Sequence, residues 1–155
     1  MTDAAINSAN IGHTDGIRKL VNSLSHFYLS DAGAVLPEWL ESTLSKESFE
    51  QRITDSSYQN YVYEIDKSII GYIALSKEQH LYHLFVSAEH HGNGIARKLW
   101  RYAINRHPKD YYTVRSSLFA VPVYKRLGFV ESGSVGYKDG VGFQPMEFRH
   151  ANSVD

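Results

Sequence analysis

The chain has 155 residues, with 16 basic and 17 acidic side chains and a hydrophobic content of 43%. This balanced composition excludes a disordered chain, and the formal net charge of −1 excludes a strong overall field that would attract nucleic acid. The lack of cysteine excludes disulfides, thiolate nucleophiles and cysteine-based metal sites. We expect one domain over residues 1–155, with a polar tail from about residue 151.

The apolar runs of the sequence are short. The longest, over residues 69–75, is far below the ~20 residues that span a bilayer, and the first residues lack the basic and apolar segments of a signal peptide. We therefore expect no membrane segment and a cytoplasmic protein.

The first third of the chain has helical spacing and the middle alternates. Apolar residues predict a helix over residues 13–29 and short helical pieces over 31–54, with Pro37 in a first helical turn. Strands are predicted over residues 61–65, 68–76 and 81–86, the first two joined by a turn at Asp66 and Lys67.

The second half alternates helices and strands. A helix over residues 95–106, a strand over 111–114, a helix over 118–127 ending at Gly128, and strands over 129–135 and 141–149 are predicted. The order of these elements predicts a mixed α/β sheet with helices on its faces. It runs from helices through a β meander to an alternating β-α-β-α-β-β segment.

A glycine-rich bend lies between the third strand and the next helix. The first N–H groups of a helix lack partners and carry partial positive charge, so they suit a phosphate or pyrophosphate, and the absence of a Cβ at Gly92 and Gly94 lets the anion approach. A P-loop and a dinucleotide fingerprint are excluded, because no Gly-Lys-Ser/Thr and no third glycine follow. Alone, such a pattern is more often just a tight turn.

Two motifs together resemble the GCN5-related N-acetyltransferase (GNAT) family. Residues 91–96 read His-Gly-Asn-Gly-Ile-Ala, similar to the family's Arg/Gln-x-x-Gly-x-Gly/Ala. Residues 117–129 are similar to its Asn-x-x-Ala-x-x-x-Tyr-x-x-x-Gly-Phe, and Pro145-Met146 matches a pair in its last strand. There are two departures: His91 stands for Arg or Gln, and Ser117 stands for Asn.

The resemblance implies an α/β fold: a mixed, mostly antiparallel sheet of six to seven strands with helices on both faces. It also implies direct transfer of an acetyl group from acetyl-CoA to an amine acceptor, either a small molecule or a peptide. Acetyl-CoA would contact the bend, the strand before it and the second motif, through His91, Gly92, Asn93, Gly94, Ile95, Ala96, Leu84, Phe85, Val86, Ser117 and Tyr124.

The resemblance makes Tyr124 the general acid, since a phenol with a pKa of about 10 is protonated at neutral pH. A tyrosine that only packs on the sheet is the alternative. Strand alternation places His80 on one face with Tyr82, Leu84 and Val86. The resemblance implies a base, where the family uses one, on this strand at the parity of His80 and Tyr82, which makes His80 the candidate; a solvated histidine at a strand start is the alternative. His83, on the opposite face, is predicted to be a packing residue.

Other residues point less directly to function. The eight histidines show no ligand spacing, so no metal site is predicted. Arg97 or Lys98 is a candidate for the 3′-phosphate of CoA or part of a solvated face. Aromatic and acidic candidates for the acceptor pocket are Tyr28, Trp39, Tyr58, Tyr61, Asp31, Glu38 and Glu41.

Two other functions stay open at this point. One is a non-catalytic CoA-binding or sensor domain of the same fold, and the other is a protein-interaction domain without a cosubstrate. No nucleic-acid or membrane partner is expected, and exposed edge strands near the C-terminus make a homodimer possible.

Overall fold

A computed structural model describes residues 4–24 and 37–149. Its strands are β1 (Ala4–Ser8), β2 (Tyr58–Ile65), β3 (Ser68–Ser76), β4 (His80–Val86), β5 (Tyr111–Ser117), β6 (Val130–Glu131), β7 (Gly136–Lys138) and β8 (Val141–Arg149). Its α-helices are α1 (Thr14–Leu24), α2 (Glu38–Thr43), α3 (Lys46–Thr54), α4 (Ile95–Arg106) and α5 (Val121–Leu127), and short 3-10 helices cover Ile11–His13 and Ala88–His90.

The strands form one mixed sheet in the order β1-β2-β3-β4-β5-β8-β6, with β7 also paired to β8. Only the β4–β5 pair is parallel, so the predicted mixed, mostly antiparallel sheet is confirmed. The part of the chain that the structure describes has eight strands rather than six to seven. The predicted strand over 129–135 forms only as the two-residue β6, β7 begins after it at Gly136, and β1 precedes the helices.

The sheet is covered by helices on both faces, as predicted. One core lies under α4 and contains Ile73, Leu99 and Trp100; the other lies under α1 and α3 and contains Ile17 and Phe49. The predicted helix over residues 13–29 is α1 as far as Leu24, and residues 25–36, with the calls that fall on them, lie outside the described residues.

Gly71 in β3 allows α4 to pack closely on the sheet. A Cβ at this position would lie 2.9 Å from Leu99 Cδ1 and 3.3 Å from Ile95 Cγ2. The absence of that atom therefore lets the first turns of α4 approach the strands, which fixes the position of the bend before α4.

The predicted turn at Asp66 and Lys67 is confirmed, and a second turn of the same kind joins β7 to β8. Asp66 and Lys67 have φ of 50° and 69°, and Asp139 and Gly140 have φ of 52° and 83°. Positive φ at both central residues is typical of the two-residue turns whose twist matches that of the flanking strands.

Strands β4 and β5 are paired at only two positions. His80 is the register partner of Thr113 and Leu81 of Val114. Beyond these residues β4 pairs only with β3, and β5 only with β8, as far as Val86 and Ser117. The two strands thus diverge and leave a wedge-shaped gap in the sheet.

A β-bulge at Tyr82 changes the side-chain alternation of β4. Ala74 is the partner of His83 but Leu75 is the partner of Leu81, so Tyr82 is an extra residue. Leu81, Leu84 and Val86 consequently contact the core under α4, whereas Phe85 belongs to the core under α1 and α3. The prediction that His80 and Tyr82 share a face with Leu84 and Val86 is wrong, because one inserted residue shifts the period of two.

Candidate active site

A cavity of about 1000 Å³ occupies the wedge between β4 and β5. Its walls are β4, the bend before α4, the end of β5, α5, the β7–β8 hairpin and parts of α1 and α2. The predicted site residues that line it are His80, Leu84, Phe85, Val86, His91, Gly92, Gly94, Ile95, Ala96, Ser117 and Tyr124. Asn93 is outside the lining, and its N–H donates to the His90 carbonyl oxygen at 3.3 Å.

The bend has a backbone that only glycine adopts easily. Gly92 and Gly94 have φ of 85° and 76°, and a Cβ built on either would meet no described heavy atom within 4 Å. Gly94 is the N-cap of α4, and no side chain of the described residues caps this helix start. The first-turn N–H groups of a 12-residue helix therefore lie beside the cavity with the positive end of the helix dipole.

His91 connects the bend to the end of β4. Its Nε2 donates to the Val86 carbonyl oxygen at 2.8 Å, and because a carbonyl can only accept, Nε2 must carry the proton. The ring also lies 6.4 Å from the ring of Phe119. The sequence predicted His91 near the pyrophosphate, and this link to the strand was not foreseen.

Ser117 is engaged in the turn that leads to α5. Its hydroxyl oxygen accepts a hydrogen bond from the Ala120 N–H at 3.2 Å. This turn delays the start of α5 to Val121, three residues after the predicted start, and the helix ends at Gly128, as predicted, with φ of 108°.

Tyr124 on α5 lies between the core and the cavity. The residue is 6% exposed, and its ring packs edge-on against Phe129 with centroids 5.4 Å apart. Burial raises the pKa of its hydroxyl above the usual value of 10, so this group stays protonated at neutral pH. The same position thus serves packing and presents a proton donor to the cavity.

His80 lies half-buried where β4 and β5 begin to diverge. Its Nδ1 is 2.8 Å from the Thr113 hydroxyl oxygen. Burial, and then the charge of Arg115, lower the pKa of the imidazole below 6.5, so the ring is neutral at pH 7. The neutral form is the one that can take a proton.

His83 packs as predicted, although it also reaches the cavity wall. Its ring lies 5.5 Å from that of Phe49 and 5.1 Å from that of Phe85. Its Nε2 is buried without a hydrogen-bond partner among the described residues, and burial holds the pKa of the imidazole well below its usual value.

Only one of the described residues predicted for the acceptor pocket lines the cavity. Trp39 lines it, whereas Tyr58, Glu38 and Glu41 do not, and the Tyr61 hydroxyl is 2.7 Å from His107 Nε2. Tyr28 and Asp31 lie outside the described residues. Arg115 and Lys138 line the cavity and were missed; the alternation of β5, with Thr113 and Arg115 on one face, was the available signal for Arg115.

Two further findings concern metals and membranes. Residues 4–24 and 37–149 contain no group of three or more histidine or acidic side chains arranged to hold a metal ion. Over the same ranges, every helix is too short or too polar to cross a lipid bilayer.

The comparisons with known proteins agree with this geometry. The family model "Acetyltransferase (GNAT) domain" matches residues 25–150. Among solved structures, PaiA N-acetyltransferase from Thermoplasma acidophilum in complex with coenzyme A has a TM-score of 0.75 at 20% identity, covering 96% of this chain and 99% of that one. A mutant of spermidine N-acetyltransferase SpeG from Vibrio cholerae has a TM-score of 0.67 at 19% identity, covering 98% and 96%. A search of curated proteins finds no match.

Proposed function

The chain belongs to the GNAT acetyltransferase family, and on that premise we propose that it transfers an acetyl group from acetyl-CoA directly to the amine of a small molecule. One observation carries the proposal. The uncapped start of α4, the free edge of β4 and the hydroxyl-bearing Tyr124 all border the same cavity. These are an anion site, a strand edge and a proton donor.

The residues around the cavity fit acetyl-CoA. The N–H groups at the start of α4 suit its pyrophosphate, because they are uncapped and Gly92 and Gly94 leave the approach open. Arg97, whose guanidinium donates to the Arg126 carbonyl oxygen at 2.8 Å, adds positive charge on this side. The edge of β4 from Leu84 to Val86 suits pairing with the pantetheine arm. Acetyl-CoA supplies the activated acetyl group as a thioester.

We assign proton transfer to two side chains. His80, neutral at pH 7, takes the proton that the acceptor's ammonium group must lose before attack, directly or through water. Tyr124, held protonated by burial, donates the proton that the departing thiolate requires. Direct attack needs no covalent enzyme intermediate, and the chain has no cysteine to form one.

The test is a screen of primary amines with purified protein and acetyl-CoA, read by free thiol release and by the mass of the acetylated amine. Turnover of at least one amine above the uncatalysed rate supports the transferase.

We extend the proposal to the whole chain as a single acetyltransferase domain in the cytoplasm, which expression of residues 1–155 and cell fractionation would test.

A non-catalytic CoA-binding domain is the second candidate, and one observation favours it. The anion site at the start of α4 is formed by backbone N–H groups, so its use by CoA needs neither of the two proton-transferring side chains. If CoA raises the melting temperature while no amine yields thiol, the second candidate replaces the first.

A further inference from the structure

Among the described residues that line the cavity, all the charged side chains have the same sign. Its described walls carry Arg97, Arg115, Arg126 and Lys138, and no aspartate or glutamate is among the described lining residues. Arg97 and Arg126 belong to the side of the bend and α5, which the proposed function assigns to CoA. Arg115 and Lys138 remain, on β5 and on the β7–β8 hairpin.

Arg115 lines the cavity close enough to His80 for its charge to act on the imidazole. It is two residues beyond Thr113 on the same face of β5, and its charge contributes to the lowered pKa of His80. Its guanidinium carbon is 5.2 Å from the centre of the Phe143 ring. No described carboxylate lies within 4.0 Å of its nitrogens, and Glu147, the register partner of Thr113 on β8, is paired with Arg149.

Lys138 lines the cavity from the β7–β8 hairpin. Its Nζ lies 4.6 Å from the ring centre of Trp39 on α2, and both residues line the cavity. Within the described ranges it forms no ion pair with a carboxylate. An aromatic ring satisfies an ammonium group only weakly compared with an anion, so Lys138 keeps its capacity to bind one.

The polar side chains packed behind the cavity lining do not offset the positive charge of Arg115 and Lys138. Arg52 on α3 is buried, donates from Nη2 to the Thr43 carbonyl oxygen at 2.7 Å, and lies over the Tyr82 ring. His83 is neutral, as described above. The described wall therefore offers a second ammonium group of an acceptor no counter-charge.

We propose, on the basis of the function proposed above, that the acceptor is an amine that also carries a carboxylate, such as an amino acid, and that Arg115 and Lys138 bind this carboxylate. A guanidinium pairs with a carboxylate through two parallel hydrogen bonds, which would orient the acceptor as well as attract it. With the carboxylate bound there, the amine of the acceptor would lie on the side of His80. A polyamine, which carries only positive charge, is disfavoured by the same wall, so this chain differs in acceptor from the spermidine N-acetyltransferase that it resembles in fold.

The first experiment compares acceptors that differ in one group. Phenylalanine is paired with phenylalaninamide, 4-aminobutyrate is paired with its carboxamide, and spermidine is added as a purely cationic amine. We expect the better carboxylate to exceed its carboxamide and spermidine at least tenfold in kcat/KM for thiol release. Equal or better use of both carboxamides, or of spermidine, overturns the proposal.

Variants test the assigned residues. Arg115→Gln and Lys138→Gln should each raise the KM for the carboxylate about tenfold and leave that for the carboxamide within twofold. Arg101→Gln is the matched control, because Arg101 is an exposed α4 cation that does not line the cavity. An unchanged carboxylate preference in both cavity variants, or an equal loss in Arg101→Gln, would contradict the assignment.

A binding measurement separates this inference from the proposed function. The melting temperature is recorded with CoA and each amine, which requires no turnover. If no amine is acetylated but phenylalanine or 4-aminobutyrate stabilises the CoA-bound protein and its carboxamide does not, the transferase fails and the carboxylate site stands. If carboxylate and carboxamide stabilise equally or not at all, and no carboxylate is preferred in turnover, the carboxylate site fails.

Discussion

The Nδ1 of His80 lies 2.8 Å from the hydroxyl oxygen of Thr113, and the two residues are register partners where β4 and β5 last run together. The strands diverge after the next pair, so this contact holds the imidazole at the apex of the wedge. A titratable ring is thus fixed beside the cavity with its neutral form favoured by burial and by Arg115.

Replacing His80 tests its assignment as the base. We expect His80→Gln to lower kcat about 100-fold, within the usual range for a general base. Because the pKa of His80 is lowered, the activity of the unaltered protein should persist below pH 6.5 and fall only as pH drops through that lowered value. The variant should lose this acidic limb of the kcat/KM profile.

His107 offers the matched control for this experiment. The pKa of its imidazole is also lowered by burial and nearby cations, but it contacts Tyr61 and does not line the cavity. His107→Gln should keep the profile. A His80→Gln enzyme with an unaltered acidic limb removes His80 from the mechanism.

Removing the Tyr124 hydroxyl tests the general acid. Tyr124→Phe keeps the ring that packs on Phe129, so the melting temperature should change little. We expect kcat to fall at least tenfold while the Kd of CoA stays within about twofold, because only the step that needs a proton is affected. Tyr102→Phe removes the hydroxyl of a half-buried α4 tyrosine that does not line the cavity, and it should leave both kcat and the Kd of CoA unchanged. Full turnover in Tyr124→Phe would reduce this residue to its packing role.

The positive φ of Gly94 predicts a selective effect on CoA. Gly94→Ala strains the bend and adds a methyl group where the anion approaches, so the Kd of CoA should rise about tenfold. Gly140, in the β7–β8 turn, has a similar positive φ and equally open surroundings, so Gly140→Ala is the matched control. Both variants should lose about 1–2 kcal/mol of unfolding free energy, with only Gly94→Ala losing CoA affinity. Similar affinities in the two variants, measured calorimetrically, would argue against an anion site at the bend.

Buried His83 predicts a dependence of stability on pH. The folded state holds the pKa of this imidazole below the unfolded value of about 6.5, so between these two values the unfolded state binds more protons and stability rises with pH. As pH falls below about 6.5, this histidine alone should cost about 1.4 kcal/mol per pH unit. Urea unfolding between pH 7.5 and 5 should show that the free energy of unfolding falls less steeply with decreasing pH in His83→Phe than in the unaltered protein. An identical slope would mean that His83 takes up its proton without unfolding. Some dependence of the unfolding free energy on pH should remain in the variant, because the pKa values of His80 and His107 are also lowered.

The elements with strong local signals could be predicted from the sequence. The helix from Ile95 to Arg106 has its predicted bounds, because the glycines before it and the His-Pro pair after it leave few alternatives. The Asp66–Lys67 turn is predicted because it separates an alternating run from a second β run. The family motifs then located Tyr124 and the bend.

The features that depend on tertiary pairing could not be predicted. β1 is an exposed edge strand of Ala, Asn and Ser around one partly buried Ile6, and its pairing with β2 is what makes it a strand. The bulge at Tyr82 is a mismatch between β4 and β3, so it has no local signature. Lys138 reaches the cavity only because the hairpin brings it to Trp39.

The central claim is that the bend binds the pyrophosphate of CoA while the edge of β4 binds its pantetheine arm. A calorimetric titration of the unaltered chain with CoA and, separately, with pantetheine tests it most directly, because pantetheine has the arm but no pyrophosphate. We predict one CoA bound per chain, at least 100-fold more tightly than pantetheine. Equal affinities for the two compounds, or no binding of CoA, would contradict the account.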